Sequence, residues 1–128
     1  MKKISFALIA LFFFGSAQAD CLPADISGSW VMYQTNISAQ VPHTGRCEIK
    51  VADKTSRSFT GDCALSNGAQ FPVTGTATIL NNCSASLSMN FTGGSFSFDV
   101  QLATDKQAFV GQWTNSFGDV GGTNAVKK

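Results

Sequence analysis

From Trp30 onward the apolar residues of this chain recur at every second position, and turn-forming residues interrupt them about every ten residues. Period two is the period of a strand with one buried face, so the chain reads as short antiparallel strands. Trp30, Met32 and Gln34 share a face of the first, and Cys47, Ile49 and Val51 a face of the second. Phe59, Gly61, Cys63 and Leu65 mark the third; Phe71, Val73, Gly75, Ala77 and Ile79 the fourth. Cys83, Ala85, Leu87, Met89 and Phe91 follow, then Phe96, Phe98, Val100 and Leu102, then Phe109, Gly111 and Trp113, and a last strand from about Val120 to Val126. Asn67-Gly68, Asn81-Asn82, Gly93-Gly94 and Phe117-Gly118 supply turns. No helix pattern interrupts the series. The expected fold is all-β, an eight-stranded antiparallel up-and-down β-barrel, which leaves no open edges; a two-sheet β-sandwich is the alternative.

Residues 1–19 read differently. Lys2 and Lys3, an apolar run from Ile4 to Phe14, and Ala17-Gln18-Ala19 form a secretory signal peptide with a cleavage site. The run falls short of the roughly 18 to 20 residues that span a bilayer, and no second run follows, so no membrane association is expected after cleavage. Asp20 before Cys21 disfavours lipidation of that cysteine. Residues 20–128 are then one exported domain, periplasmic or secreted, and the Met-Lys-Lys leader looks bacterial. Three Asn-x-Ser/Thr sequons, at Asn36, Asn82 and Asn90, carry no weight in such a host.

Export gives the four cysteines a meaning, since an even count in an oxidising compartment implies disulfides, here with three connectivities open. If Asp53 and Arg57 face each other across a short turn, Cys47 and Cys63 fall opposite one another on one face. In a meander, Cys21 and Cys83 both lie at the same end of the barrel. The expected pairs are Cys47–Cys63 and Cys21–Cys83.

Chemistry is sparse. One histidine, His43, stands alone in the long segment between the first two strands, and the acids are scattered, so no catalytic residues are assigned and an enzyme is not expected. No Cys-x-x-Cys and no His/Cys cluster offers a metal site, and no cofactor is implied. A formal net charge of +1, lowered further by loss of Lys2 and Lys3, argues against nucleic acid as a partner. Binding remains, and the loops at one barrel end form the natural mouth, with Tyr33, His43, Phe91 and Trp113 as candidate contacts for a small apolar ligand. Trp30 and Trp113 are expected to fill the interior, each with a glycine, Gly28 or Gly111, making room beside it.

Asp25-Ile26-Ser27-Gly28-Ser29-Trp30, followed by Cys47-Glu48-Ile49-Lys50-Val51, Cys63-Ala64-Leu65 and Gly121-Gly122-Thr123, resembles the bacterial metalloprotease inhibitor family, eight-stranded barrels that block serralysin-type zinc proteases. The resemblance implies a secreted protease as partner and an N-terminal arm, Asp20 to Ala24, with Asp20, Leu22 and Pro23 as cleft contacts. It also implies a bond between the cysteines at 47 and 63, in agreement with the register. A weaker resemblance, through Gly28-Ser29-Trp30, Asn90-Phe91 and Gly121-Gly122-Thr123, is to avidin and streptavidin, and by analogy to lipocalin-like barrels. Phe91 replaces the avidin tryptophan, and Val31 and Met32 stand where polar residues are expected, so that resemblance implies architecture and not biotin. The sequence thus favours an exported non-enzymatic binding protein of protease-inhibitor type, with a small-molecule-binding barrel or a surface interaction module as alternatives.

Overall fold

A computed structural model describes residues 20–40, 42–53 and 57–128; the signal-peptide reading of residues 1–19 lies outside them. The described residues form a closed barrel of eight strands. These are β1 (Gly28–Asn36), β2 (His43–Val51), β3 (Ser58–Leu65), β4 (Gln70–Ile79), β5 (Ser84–Phe91), β6 (Gly94–Leu102), β7 (Ala108–Asn115) and β8 (Val120–Lys127). Each strand pairs antiparallel with the next, and β8 returns to β1 from Trp30↔Lys127 to Asn36↔Gly121. Closure settles the choice between barrel and sandwich.

Inward positions alternate as the sequence requires, and Cys47 lies directly opposite Cys63. Both expected disulfides are present, Cys47–Cys63 and Cys21–Cys83. They place the folded chain in an oxidising environment. Cys83 does not open β5: it adopts a left-handed conformation, φ 70°, in the preceding turn, and β5 begins one residue later.

One barrel end is closed by a plug that the strand pattern does not foretell, a 3₁₀ helix from Pro23 to Ile26. Pro23 presets its first turn, and the Asp25 carboxylate accepts the Leu22 backbone N–H at 2.7 Å. Ile26 is thereby driven into the barrel and is fully buried. Beneath it Trp30, also fully buried, donates its indole N–H to the Ile26 carbonyl at 2.9 Å and packs on Phe109 with ring centroids 5.0 Å apart. The Lys127 ammonium lies 5.0 Å over the Trp30 ring and donates to the Asp25 carbonyl at 2.9 Å. Cys21–Cys83 ties the plug to the turn before β5, and the Cys21 N–H donates to the Asn81 carbonyl.

The glycine expectations need correction. Gly28 does not make room for Trp30; its φ of 108° is a backbone conformation that side chains disfavour, and it turns the chain from plug into β1. Gly111 packs against Val100, not Trp113. Gly121 is the residue that makes room for Trp113, which it faces across β7 and β8. A Cβ there would stand 2.6 Å from the indole and collide with the Thr35 carbonyl.

Asp25 also carries a pH dependence. Its carboxyl titrates below the ordinary aspartate range because the Leu22 N–H, and then the Lys106 ammonium at 3.1 Å, stabilise the charged form. A group whose folded pKa is depressed contributes stability above its unfolded pKa, and that contribution is lost as pH falls through the folded value. Asp25→Asn is therefore expected to lower stability at pH 7 and to flatten the acid limb below about pH 4. Urea titrations at a series of pH values check this; parallel acid limbs for wild type and variant would contradict it.

Candidate functional site

The opposite end is open. Four connections gather there, with described residues 37–40 and 42, 66–69, 92–93 and 116–119. Below them the core is solid, with Met32, Ile49, Phe59, Leu87, Met89 and Phe98 all buried. Above, residues at the upper ends of β1 to β7 and in the last turn leave a cavity of about 220 Å³.

Two kinds of wall enclose it. Phe71 of β4, Phe91 of β5, Phe96 of β6 and Trp113 of β7 form a continuous aromatic wall, with centroids 5.3 Å apart for Phe71–Phe91 and 5.2 Å for both Phe91–Phe96 and Phe96–Trp113. Phe117, 67 % exposed in the last turn, sits over Phe91 at 6.3 Å. Trp113 is fixed by its indole N–H, which donates to the Gly122 carbonyl at 3.0 Å.

Gln34 and Asn36 of β1 and His43 of β2 line another side, and Asn115 of β7, the cross-strand partner of Phe96, joins Asp119 at the rim. The buried polar residues among the described ones, Gln34, Asn36 and Thr123, all lie toward this end. Buried polar groups need partners, and these have them. The Gln34 amide contacts Cys47 Sγ at 3.3 Å, and Thr123 donates to the Tyr33 carbonyl. Asn36 and Asn115 donate their side-chain N–H groups to Asp119 Oδ2 at 3.2 and 3.3 Å. Their carbonyl oxygens accept backbone N–H groups, those of Ser38 and Ala39 for Asn36, and of Phe117 and Asp119 for Asn115. Ser38 accepts the Val120 N–H at 2.8 Å. One small network thus stitches the first connection to the last and holds Asp119 at the cavity rim.

Of the four mouth residues expected from sequence, the structure brings His43, Phe91 and Trp113 to the cavity. Tyr33 is corrected: it points outward and is 49 % exposed. Period two requires this, since its neighbours Met32 and Gln34 face inward. Among the lining residues missed from sequence are Asn36, Phe71, Phe96, Asn115, Phe117 and Asp119. The available signal was a polar residue continuing an inward face, as Asn36 continues Gln34.

The arm lies at the other end of the barrel. Asp20, Leu22 and Pro23 are exposed, Leu22 at 63 %, while Cys21 is bonded to Cys83 and the Leu22 N–H is held by Asp25. A larger depression, about 590 Å³, lies on the outer surface of β4 to β7. Its outward side chains are mainly hydroxyls and amides, such as Thr76, Ser88, Ser97 and Gln112, and it is a shallow hollow in a solvated sheet. The smaller, aromatic-walled cavity is the better ligand site.

No family model and no curated protein sequence matches the chain. Similar solved structures are β-barrels. A redesigned barrel bound to DFHBI superposes with a TM-score of 0.69 at 14 % identity, over 88 % of this chain and all of the other (100 %). A de novo fluorescence-activating barrel gives 0.66 at 10 % identity, over 84 % of this chain and 100 % of its own. Identities this low establish a shared fold.

Proposed function

We propose that this protein is an exported, non-enzymatic binding protein that holds a small, largely apolar ligand in the mouth of its barrel. The observation that carries this is the cavity between the aromatic wall and the Asn36–Asn115–Asp119 rim. Apolar walls with a few placed polar groups are the usual construction of a small-molecule site. At about 220 Å³ the space lies below the ~300 Å³ at which drug-sized sites begin. The ligand is therefore of single-ring size. Barrels of the same architecture solved with DFHBI support the reading by analogy. The disulfides fit a periplasmic or extracellular site of action.

Protease inhibition, carried by the resemblance at Asp25 to Trp30, draws no support from the arm, which is tethered at Cys21 and at the Leu22 N–H.

Gly45 supplies the test. It faces the cavity floor from β2, and a Cβ there meets only the flexible tip of Leu65 within 3.5 Å. Gly45→Val is expected to fill the cavity and weaken small neutral aromatics by about tenfold or more, with the melting temperature little changed. Calorimetric titration of both proteins checks this. Equal affinities would place the ligands elsewhere.

A further inference from the structure

The cavity carries a charge preference. Building on the ligand-binding reading above, we infer that its ligand is a small ring-bearing cation, such as an aromatic amidine or ammonium, and not a fatty acid or other anion.

The described residues of the connections that form the mouth, 37–40 and 42, 66–69, 92–93 and 116–119, include no lysine or arginine and a single acid, Asp119. Four of the described cations are engaged elsewhere: Lys106 and Lys127 make their contacts at the plugged end, and Arg46 and Lys128 pair with Glu48 on the outer surface. A carboxylate entering this cavity would meet Asp119 with no lysine or arginine to offset it. An amidinium or ammonium would meet a complementary charge.

Asp119 is also positioned to use that charge. An ionised carboxylate offers about four lone-pair sites. Asn36 and Asn115 occupy Oδ2, and Ser38 Oγ stands 3.5 Å from Oδ1, which leaves acceptor capacity beside the cavity. The two amides fix the carboxylate without neutralising it.

The aromatic wall acts in the same sense. An aromatic ring carries the negative part of its quadrupole on its faces and the positive part at its edge, so a ring of this wall attracts a cation wherever its face meets the ligand, which a purely aliphatic wall would not do. The rim charge thus selects the sign, and an aromatic wall accommodates it.

Three probes of nearly one shape and different charge test this: benzamidinium, benzamide and benzoate, titrated into the oxidised protein at low salt. The expected order is benzamidinium, then benzamide, then benzoate, with cation and anion apart by about tenfold or more. Asp119→Asn, which keeps an acceptor for both asparagines, is expected to weaken benzamidinium by about tenfold and benzamide by clearly less. His43 is the other titratable side chain on the lining, and the order is expected to persist in His43→Gln. Should Asp119→Asn fail to fold, salt serves on the wild type: raising it weakens benzamidinium and spares benzamide. Binding of benzamide with no preference for the cation, or with benzoate tighter, overturns the charge inference and leaves the ligand site standing. Binding of none of the three overturns both.

Discussion

Trp30→Ala is expected to cost about 3–5 kcal/mol of folding stability, the range for removing a buried large aromatic from a packed core. A domain of this size has on the order of 5–15 kcal/mol in total, so the variant should be marginal or unfolded at 37 °C. The effect is large because Trp30 joins three elements: it packs on Phe109 of β7, donates to the Ile26 carbonyl in the plug, and underlies the Lys127 ammonium of β8. Trp30→Phe keeps most of the packing and loses the hydrogen bond, for which about 1 kcal/mol is expected. Guanidinium unfolding of the two variants separates packing from bonding. A loss below about 1 kcal/mol for the alanine variant would mean that the plug does not close the core.

The second large effect is that of Cys21→Ser with Cys83→Ser. The bond closes a loop of 62 residues, and chain entropy assigns about 4 kcal/mol to such a closure. Cys47–Cys63, with a separation of 16, is worth about 3 kcal/mol on the same reasoning. The two pairs should also differ in what else they move. Loss of Cys21–Cys83 frees the plug and with it the Ile26 and Trp30 packing, whereas loss of Cys47–Cys63 acts in the wall beside Gln34, near the cavity. Thermal unfolding measured with and without probe resolves this. If the Cys47/Cys63 double serine variant proves the less stable of the two, the stabilising role assigned to the plug bond is wrong.

Much of this architecture was written into the alternation of the chain. The faces of β1 to β7 follow from period two, and the Cys47–Cys63 pairing follows from one turn, because register in a hairpin fixes every opposed pair. The plug was not legible. Four residues are too few to show a helical period, and its signals, Pro23 and Asp25, act only in the local geometry. The site was legible in part. Phe91 and Trp113 stand out as large residues near strand ends, but Phe71 and Phe96 look like ordinary core until the barrel closes and sets them side by side. Asp119 was indistinguishable from the other scattered acids. Its place comes from contact between connections some 80 residues apart, Ser38 with Val120 and Asn36 with Asp119, which no local pattern encodes. The misplacement of Tyr33 had the opposite origin: its chemistry suggested a ligand contact where its parity already forbade one. Gly121 was overlooked for Gly111 in the same way, since the neighbour of Trp113 that matters lies across the sheet.

The central claim is that the mouth cavity takes a small ring-bearing ligand, and nuclear magnetic resonance tests it most directly. Benzamidinium and benzamide, titrated separately into ¹⁵N-labelled protein, are expected to shift the Trp113 indole N–H, the side-chain amides of Asn36 and Asn115, and the backbone of Phe91 and Phe117, and to leave the Trp30 indole at the plugged end unmoved. Shifts spread over the outer surface of β4 to β7, or no shifts with either probe, would contradict it.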